Sequence, residues 1–213
     1  MTELLNTPVT AIILAVTVII SFMAFNNQEL IQKLMFNPYA VKHNQEKWRF
    51  LSHGFIHGDT MHLLVNMYVF YNFGTIVEST IINIMGKTNG EILFVVLYMG
   101  AIIFAPILAY KKHQDNPGYN SLGASGATSA VLIVFMLMYP SAPLQLLFLP
   151  IPLPAIVFGL LFFVYESYMN KRGRTGVAHD AHLLGALFGM VFLLLVHPQS
   201  YLDLLTYIGG VFG

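Results

Sequence analysis

Ser125 sits in the frame Gly123-Ala124-Ser125-Gly126, where a polar loop gives way to a long apolar run, and His182 stands near the start of another such run, in Ala181-His182-Leu183-Leu184-Gly185. A hydroxyl and an imidazole at the mouths of two apolar helices are the groups that nucleophilic acyl transfer needs. The imidazole takes the hydroxyl proton and later returns it to a leaving group. His62 and Asn66 are four residues apart, so they share a helix face and lie about 6 Å apart along its axis. That face presents imidazole and carboxamide donors to one point, as a developing oxyanion requires. Gly123 and Gly126 permit a tight turn and let a substrate backbone approach Ser125 and its amide.

Each of these signals has a plainer reading. A Gly-x-Ser-Gly pattern arises by chance in roughly one chain in fifteen of this length, and the small residues from Gly123 to Ala130 also suit close helix packing. His182 reads alternatively as an interfacial histidine with His179 and Asp180 as solvated neighbours. His62 and Asn66 could serve interhelical hydrogen bonding alone. His53, His57 and His62 suggest a metal set, but the chain has no cysteine and no His-Glu-x-x-His run, so no metal or cofactor is expected. Asp180 is two residues from His182 and would face away on a helix, which favours a dyad over a triad. Glu78 and Glu166, in or near apolar runs, are assigned structural pairing with polar or basic groups.

The elements that must position these groups follow from composition. Hydrophobic residues make up 56% of the chain and charged residues 9%, against roughly 25% charged in a soluble domain. This is the composition of a polytopic, all-α membrane protein with one domain over residues 1–213. A net charge of zero with no basic run excludes nucleic acid as a partner, and the lack of cysteine excludes disulfides and thiol nucleophiles. Six spans are predicted, at about 9–25, 61–82, 91–110, 124–139, 155–169 and 177–196. The connection 26–57 is too polar to span. Pro140, Pro143, Pro150, Pro152 and Pro154 break the helix after the fourth span. The tail 197–213 reads either as a surface helix or as disorder. The first span follows Glu3 with no Lys or Arg before it, and is read as a retained helix and not a signal sequence.

In a six-span chain the even-numbered helices begin on one face, so His62, Asn66, Ser125 and His182 converge on one side of the bilayer at similar depth. Ala181, Gly185 and Gly189 form a small-residue stripe that lets span six pack tightly on a neighbour. If that neighbour is span four, His182 reaches Ser125.

Taken together, Trp48-Arg49, His53, His57, His62-Leu63-Leu64-Val65-Asn66, Gly123-Ala124-Ser125-Gly126 and Ala181-His182-Leu183-Leu184-Gly185 with Gly189 resemble the rhomboid intramembrane serine proteases. The resemblance implies a six-transmembrane-helix bundle with Ser125 as nucleophile and His182 as general base and then general acid. Asn66, His62 and the Ser125 backbone N–H would form the oxyanion hole. It further implies that the loop bearing Trp48 and Arg49 lies at the membrane interface, and that span five with the loop Lys171–Gly176 gates the site. The substrates would be transmembrane segments of other proteins in the lipid bilayer.

One position departs from the pattern. Many members carry a tyrosine one turn after the nucleophile, where this chain has Ser129; Tyr165 or Tyr168 on span five are the candidates to compensate. Orientation is also in tension. Nine of the ten basic residues flank the site face and only Lys87 lies on the other, which the positive-inside rule assigns to the cytoplasm, whereas bacterial members face the site outward. The expected setting is a bacterial inner membrane. The alternative function is a non-catalytic membrane binder or transporter using the histidines for protons or metal.

Overall fold

The computed structural model describes residues 2–146, 149–172 and 178–212. Over these the chain runs α1 (Thr2–Asn6), α2 (Pro8–Phe25), α3 (Gln28–Leu34), α4 (Pro38–His43), α5 (Arg49–Ser52), a 3-10 turn (His53–Phe55), α6 (Thr60–Met85), α7 (Lys87–Phe104), α8 (Ile107–His113) and α9 (Ser125–Met138). An antiparallel hairpin, β1 (Pro143–Leu146) and β2 (Leu149–Pro154), leads to α10 (Ala155–Arg172), α11 (His179–Val196) and α12 (Gln199–Phe212).

Local chemistry explains most boundaries. Asn27, Asn37 and Asp59 cap α3, α4 and α6 by accepting the N–H groups of Leu30, Ala40 and His62. Gly86, at φ +79°, separates α6 from α7. The third predicted span is divided at Pro106, which lacks the N–H to continue α7 into α8. The polar connection 26–57 folds into short helices, and the proline-rich stretch after α9 forms the hairpin, which the helix-breaking signal did not specify. The tail is helical, with Tyr201 Oη donating to Met190 O at 2.6 Å. α2 is capped from a distance: buried Glu78 of α6 accepts the N–H groups of Val9 at 2.9 Å and Thr10 at 2.7 Å, placing a carboxylate at a positive helix end. This is the structural pairing expected of Glu78.

At the centre stands α9, of whose residues all but Ser125, Leu132 and Met138 are buried. α6, α7, α10, α11 and α12 all pack against it. Its contact with α11 is backbone to backbone, since a Cβ on Gly185 would lie 2.0 Å from Gly126 O and one on Gly189 2.5 Å from Ala130 O. The small-residue stripe of the sixth predicted span therefore does pack on the fourth. Outward, Ile12, Ile19 and Phe22 of α2, Leu160, Leu161 and Val164 of α10 and Leu194 and Leu195 of α11 are exposed, an apolar surface that suits lipid. Among the described residues Pro8–Phe25, the run Lys87–His113 and His179–Val196 are each long and apolar enough to cross a membrane, while Ser125–Met138 is apolar but shorter.

Candidate active site

The starts of α6, α9 and α11 and the second half of α10 enclose a cavity of about 920 Å³, lined by Ser125, Ser129, His62, Asn66, Glu166 and His182 among others. The four residues singled out in the sequence thus meet at one cavity.

The loop before Ser125 is held by its own backbone and by buried histidines. Gly123 has φ +115°, and a Cβ there would fall 2.7 Å from His62 Cε1, so only glycine fits. Its N–H donates to His53 O at 2.9 Å, and the next N–H, of Ala124, donates to His57 Nε2 at 3.4 Å. His57 therefore carries its proton on Nδ1, which lies 3.0 Å from Ser21 Oγ, and the Ser21 hydroxyl passes on to Phe55 O at 3.2 Å. Burial holds His57 neutral, pushing its pKa down to about 3, with the nearby His62 adding to the effect. Burial likewise lowers His53 to about 4, against the opposing contact of its Nε2 with Ile102 O. Both histidines brace the loop before Ser125 and the turn beneath it.

Asn66 Nδ2 donates to His62 O at 2.9 Å, and its Oδ1 accepts from Thr128 Oγ1 at 3.2 Å; Thr128 Oγ1 also lies 3.0 Å from Ser125 O. Thr128 thus ties the Asn66 amide to the first turn of α9, a link without a signal in the sequence beyond its spacing from Ser125. Ser125 itself begins α9, where first-turn N–H groups have no intrahelical partner.

His182, the fourth residue of α11, is held from α10. Its Nδ1 lies 3.1 Å from Glu166 Oε2, and the same oxygen lies 2.6 Å from His179 Nδ1. Glu166 and His179 are each 5% exposed. Glu166 is paired as expected, but with the imidazole of the candidate base, which places it in the site. No hydrogen bond among the described residues joins Ser125 Oγ to His182. The proposed stand-ins for the missing tyrosine do not reach His182: Tyr165 lies edge-on to His179 at 6.2 Å, and Tyr168 takes the Arg172 guanidinium at 5.4 Å. Asp180 accepts the N–H of Ala181 at 2.9 Å. The three-ligand grouping among the described residues is Glu166, His179 and His182, with ligand atoms within 4.8 Å of one another, and not the set His53, His57 and His62.

In the first loop Arg49 is buried. Its Nη1 donates to Gln32 O and Met35 O at 2.7 Å each and its Nε pairs with Glu46. It closes the loop internally while Trp48 remains 51% exposed. Of the expected gate loop Lys171–Gly176, residues 173–176 lie outside the described residues.

The Rhomboid domain family model matches residues 44–199. The presenilin-associated rhomboid-like protein, mitochondrial, of Rattus norvegicus is 31% identical over 151 residues, covering 67% of this chain and 36% of that protein. RHOMBOID-like protein 12, mitochondrial, of Arabidopsis thaliana is 24% identical over 176 residues, covering 79% and 52%. Rhomboid protease GlpG of Haemophilus influenzae is 29% identical over 103 residues, covering 48% and 47%. The chain spans about a third to a half of the length of these relatives. Two of the three are mitochondrial by name, so the comparisons do not carry the bacterial inner membrane expected from the sequence; an integral membrane setting is what the family and the apolar helices share. With its matched region running from the first loop through α11, the chain belongs to the rhomboid family.

Proposed function

We propose that this chain is an intramembrane serine endopeptidase, one membrane domain over residues 1–213 with six spans, that hydrolyses peptide bonds in or near transmembrane segments of other membrane proteins. The observation that carries the reading is the meeting of Ser125, His182, His62 and Asn66 at one cavity inside an apolar bundle. α6 and α10 would complete the six spans, long enough to cross although more polar than the rest. α9 has 14 residues and is about 21 Å long, short of a hydrocarbon core of about 30 Å. Ser125, at its N-terminus, would therefore sit below the membrane surface, with the cavity as its route to water.

In the proposed reaction His182 Nε2 accepts the Ser125 hydroxyl proton as Oγ attacks the scissile carbonyl carbon. The oxyanion that forms is met by the Ser125 N–H, Asn66 Nδ2 and the His62 ring. Collapse breaks the C–N bond, the imidazolium gives its proton to the departing amine, and water then releases the acyl group from Ser125 by the same steps. The Ser125–His182 hydrogen bond closes when substrate occupies the cavity, since such contacts are often loose in empty sites. Ser125→Ala should abolish cleavage of a model transmembrane substrate in detergent, and Ser125 should be labelled by a fluorophosphonate in the native chain but not in His182→Ala. Undiminished cleavage by Ser125→Ala refutes the proposal.

A further inference from the structure

We infer that Glu166 is a positioning residue for His182: its carboxylate accepts the Nδ1–H of that imidazole and so leaves Nε2 unprotonated, the state a base for Ser125 needs. This rests on the reading of Ser125 and His182 as the reacting pair. The carboxylate belongs to α10, a different helix from either.

A neutral imidazole has a single N–H, and a partner that can only accept fixes it on the nitrogen facing that partner. Glu166 Oε2 faces Nδ1 of His182 at 3.1 Å and Nδ1 of His179 at 2.6 Å. Both rings therefore hold their protons on Nδ1. His179 serves as a second donor to a carboxylate that is almost wholly enclosed, and an enclosed carboxylate without donors would be costly. The two rings lie edge to face, with centroids 6.0 Å apart, so His179 limits the swing of His182 from one side. Among the described residues the ring partner of His182 is His179 and not a tyrosine, and Ser129 lines the cavity without a ring to stack. In the inferred arrangement the Glu166 carboxylate, 3.1 Å from Nδ1, is the group that orients the ring. When His182 takes the Ser125 proton it becomes a cation, and the Glu166 carboxylate already on Nδ1 stabilises that charge in a low-dielectric site. The benefit arises during the chemical step, so it acts on kcat and not on KM.

The same three groups could in principle ligate a metal. Their spacing favours hydrogen bonding: tetrahedral ligands about 2.0–2.1 Å from zinc lie about 3.3 Å apart, so an ion would have to force the His179–Glu166 pair open from 2.6 Å.

The test uses the full chain in detergent. In ¹⁵N NMR of histidine-labelled native protein, with the His182 signals assigned by their loss in His182→Asn, we expect a protonated Nδ1 and an unprotonated Nε2. The opposite tautomer overturns the inference, and this arm needs no folded Glu166 variant. Glu166→Gln, whose amide can donate to Nδ1, should shift His182 toward the other tautomer and lower kcat by about 10²-fold, the scale of general-base catalysis, with KM little changed. Glu166→Asp should restore part of kcat. Unchanged kcat in Glu166→Gln, with Ser125→Ala inactive, overturns the role of Glu166 and leaves the protease reading standing; cleavage persisting in Ser125→Ala removes that reading itself. Activity lost to a chelator and restored by zinc would assign the three groups to a metal and overturn the inference.

Discussion

Gly185 of α11 lies so close to Gly126 of α9 that a Cβ on Gly185 would stand 2.0 Å from the Gly126 carbonyl oxygen. The obstacle is backbone, which cannot turn aside as a side chain can. Gly185→Ala must therefore push α11 away from α9. We expect a loss of about 1–3 kcal/mol, the usual cost of overpacking, read as a lower thermal midpoint in detergent. Activity should fall further than stability, because the shift carries His182 away from Ser125. Gly189→Ala, meeting Ala130 O at 2.5 Å one turn on, should destabilise comparably and harm activity less.

Asn66→Ala removes a carboxamide held between His62 O and Thr128 Oγ1. If that amide serves the oxyanion, kcat for a transmembrane substrate falls about 10²- to 10³-fold while fluorophosphonate still finds Ser125. Thr128→Val, which keeps the volume and loses the hydroxyl, should give a smaller fall through loss of Asn66 orientation.

His53 and His57 bear on stability against pH. Both are neutral in the fold, with pKa values lowered from 6.5 to about 4 and about 3 by burial. Once unfolded they titrate at the ordinary value, so below pH 6.5 the unfolded state takes up protons that the folded state refuses. Their contribution to stability is complete above that pH and is lost progressively as pH falls toward the lowered values. The thermal midpoint in detergent should drop from pH 7 to pH 5, and His57→Gln should show a shallower drop from a lower starting point.

Glu78 serves two backbone donors of α2 from within α6. Glu78→Ala leaves both enclosed N–H groups unpaired, at about 1–3 kcal/mol for each, whereas Glu78→Gln keeps one acceptor and should cost less. Neither change touches the cavity, so activity per folded molecule should stay at the native level. A loss of kcat in folded Glu78→Gln protein would contradict this separation of roles.

Much of this arrangement was legible in the chain before it folded. The apolar runs placed the helices to within a few residues, because a segment that must shed water from its backbone declares itself by length and composition. The small residues at 181, 185 and 189 announced a close helix contact, and the motifs around residues 62, 125 and 182 marked the cavity. Where prolines only break helices, as at residues 140–154, the hairpin was not legible. The division at Pro106 was hidden by an apolar run that continues through it.

What the sequence by itself determined is which residue types open which helices, and hence that a hydroxyl, two imidazoles and an amide lie near one face. Tertiary structure alone decided their partners. Glu166 is one acid in an apolar run, and which way it points depends on the rotation of α10 about its axis, a quantity set by packing at Ala155 and Gly159 and not by the local pattern. That rotation turns Glu166 to His182 and His179, and leaves Tyr165 and Tyr168 away from His182. Arg49, in the loop that the resemblance assigns to the membrane interface, is drawn inside because three acceptors of the first loop converge on it. Long-range pairing of this kind depends on where whole helices come to rest, and no spacing along the chain encodes it.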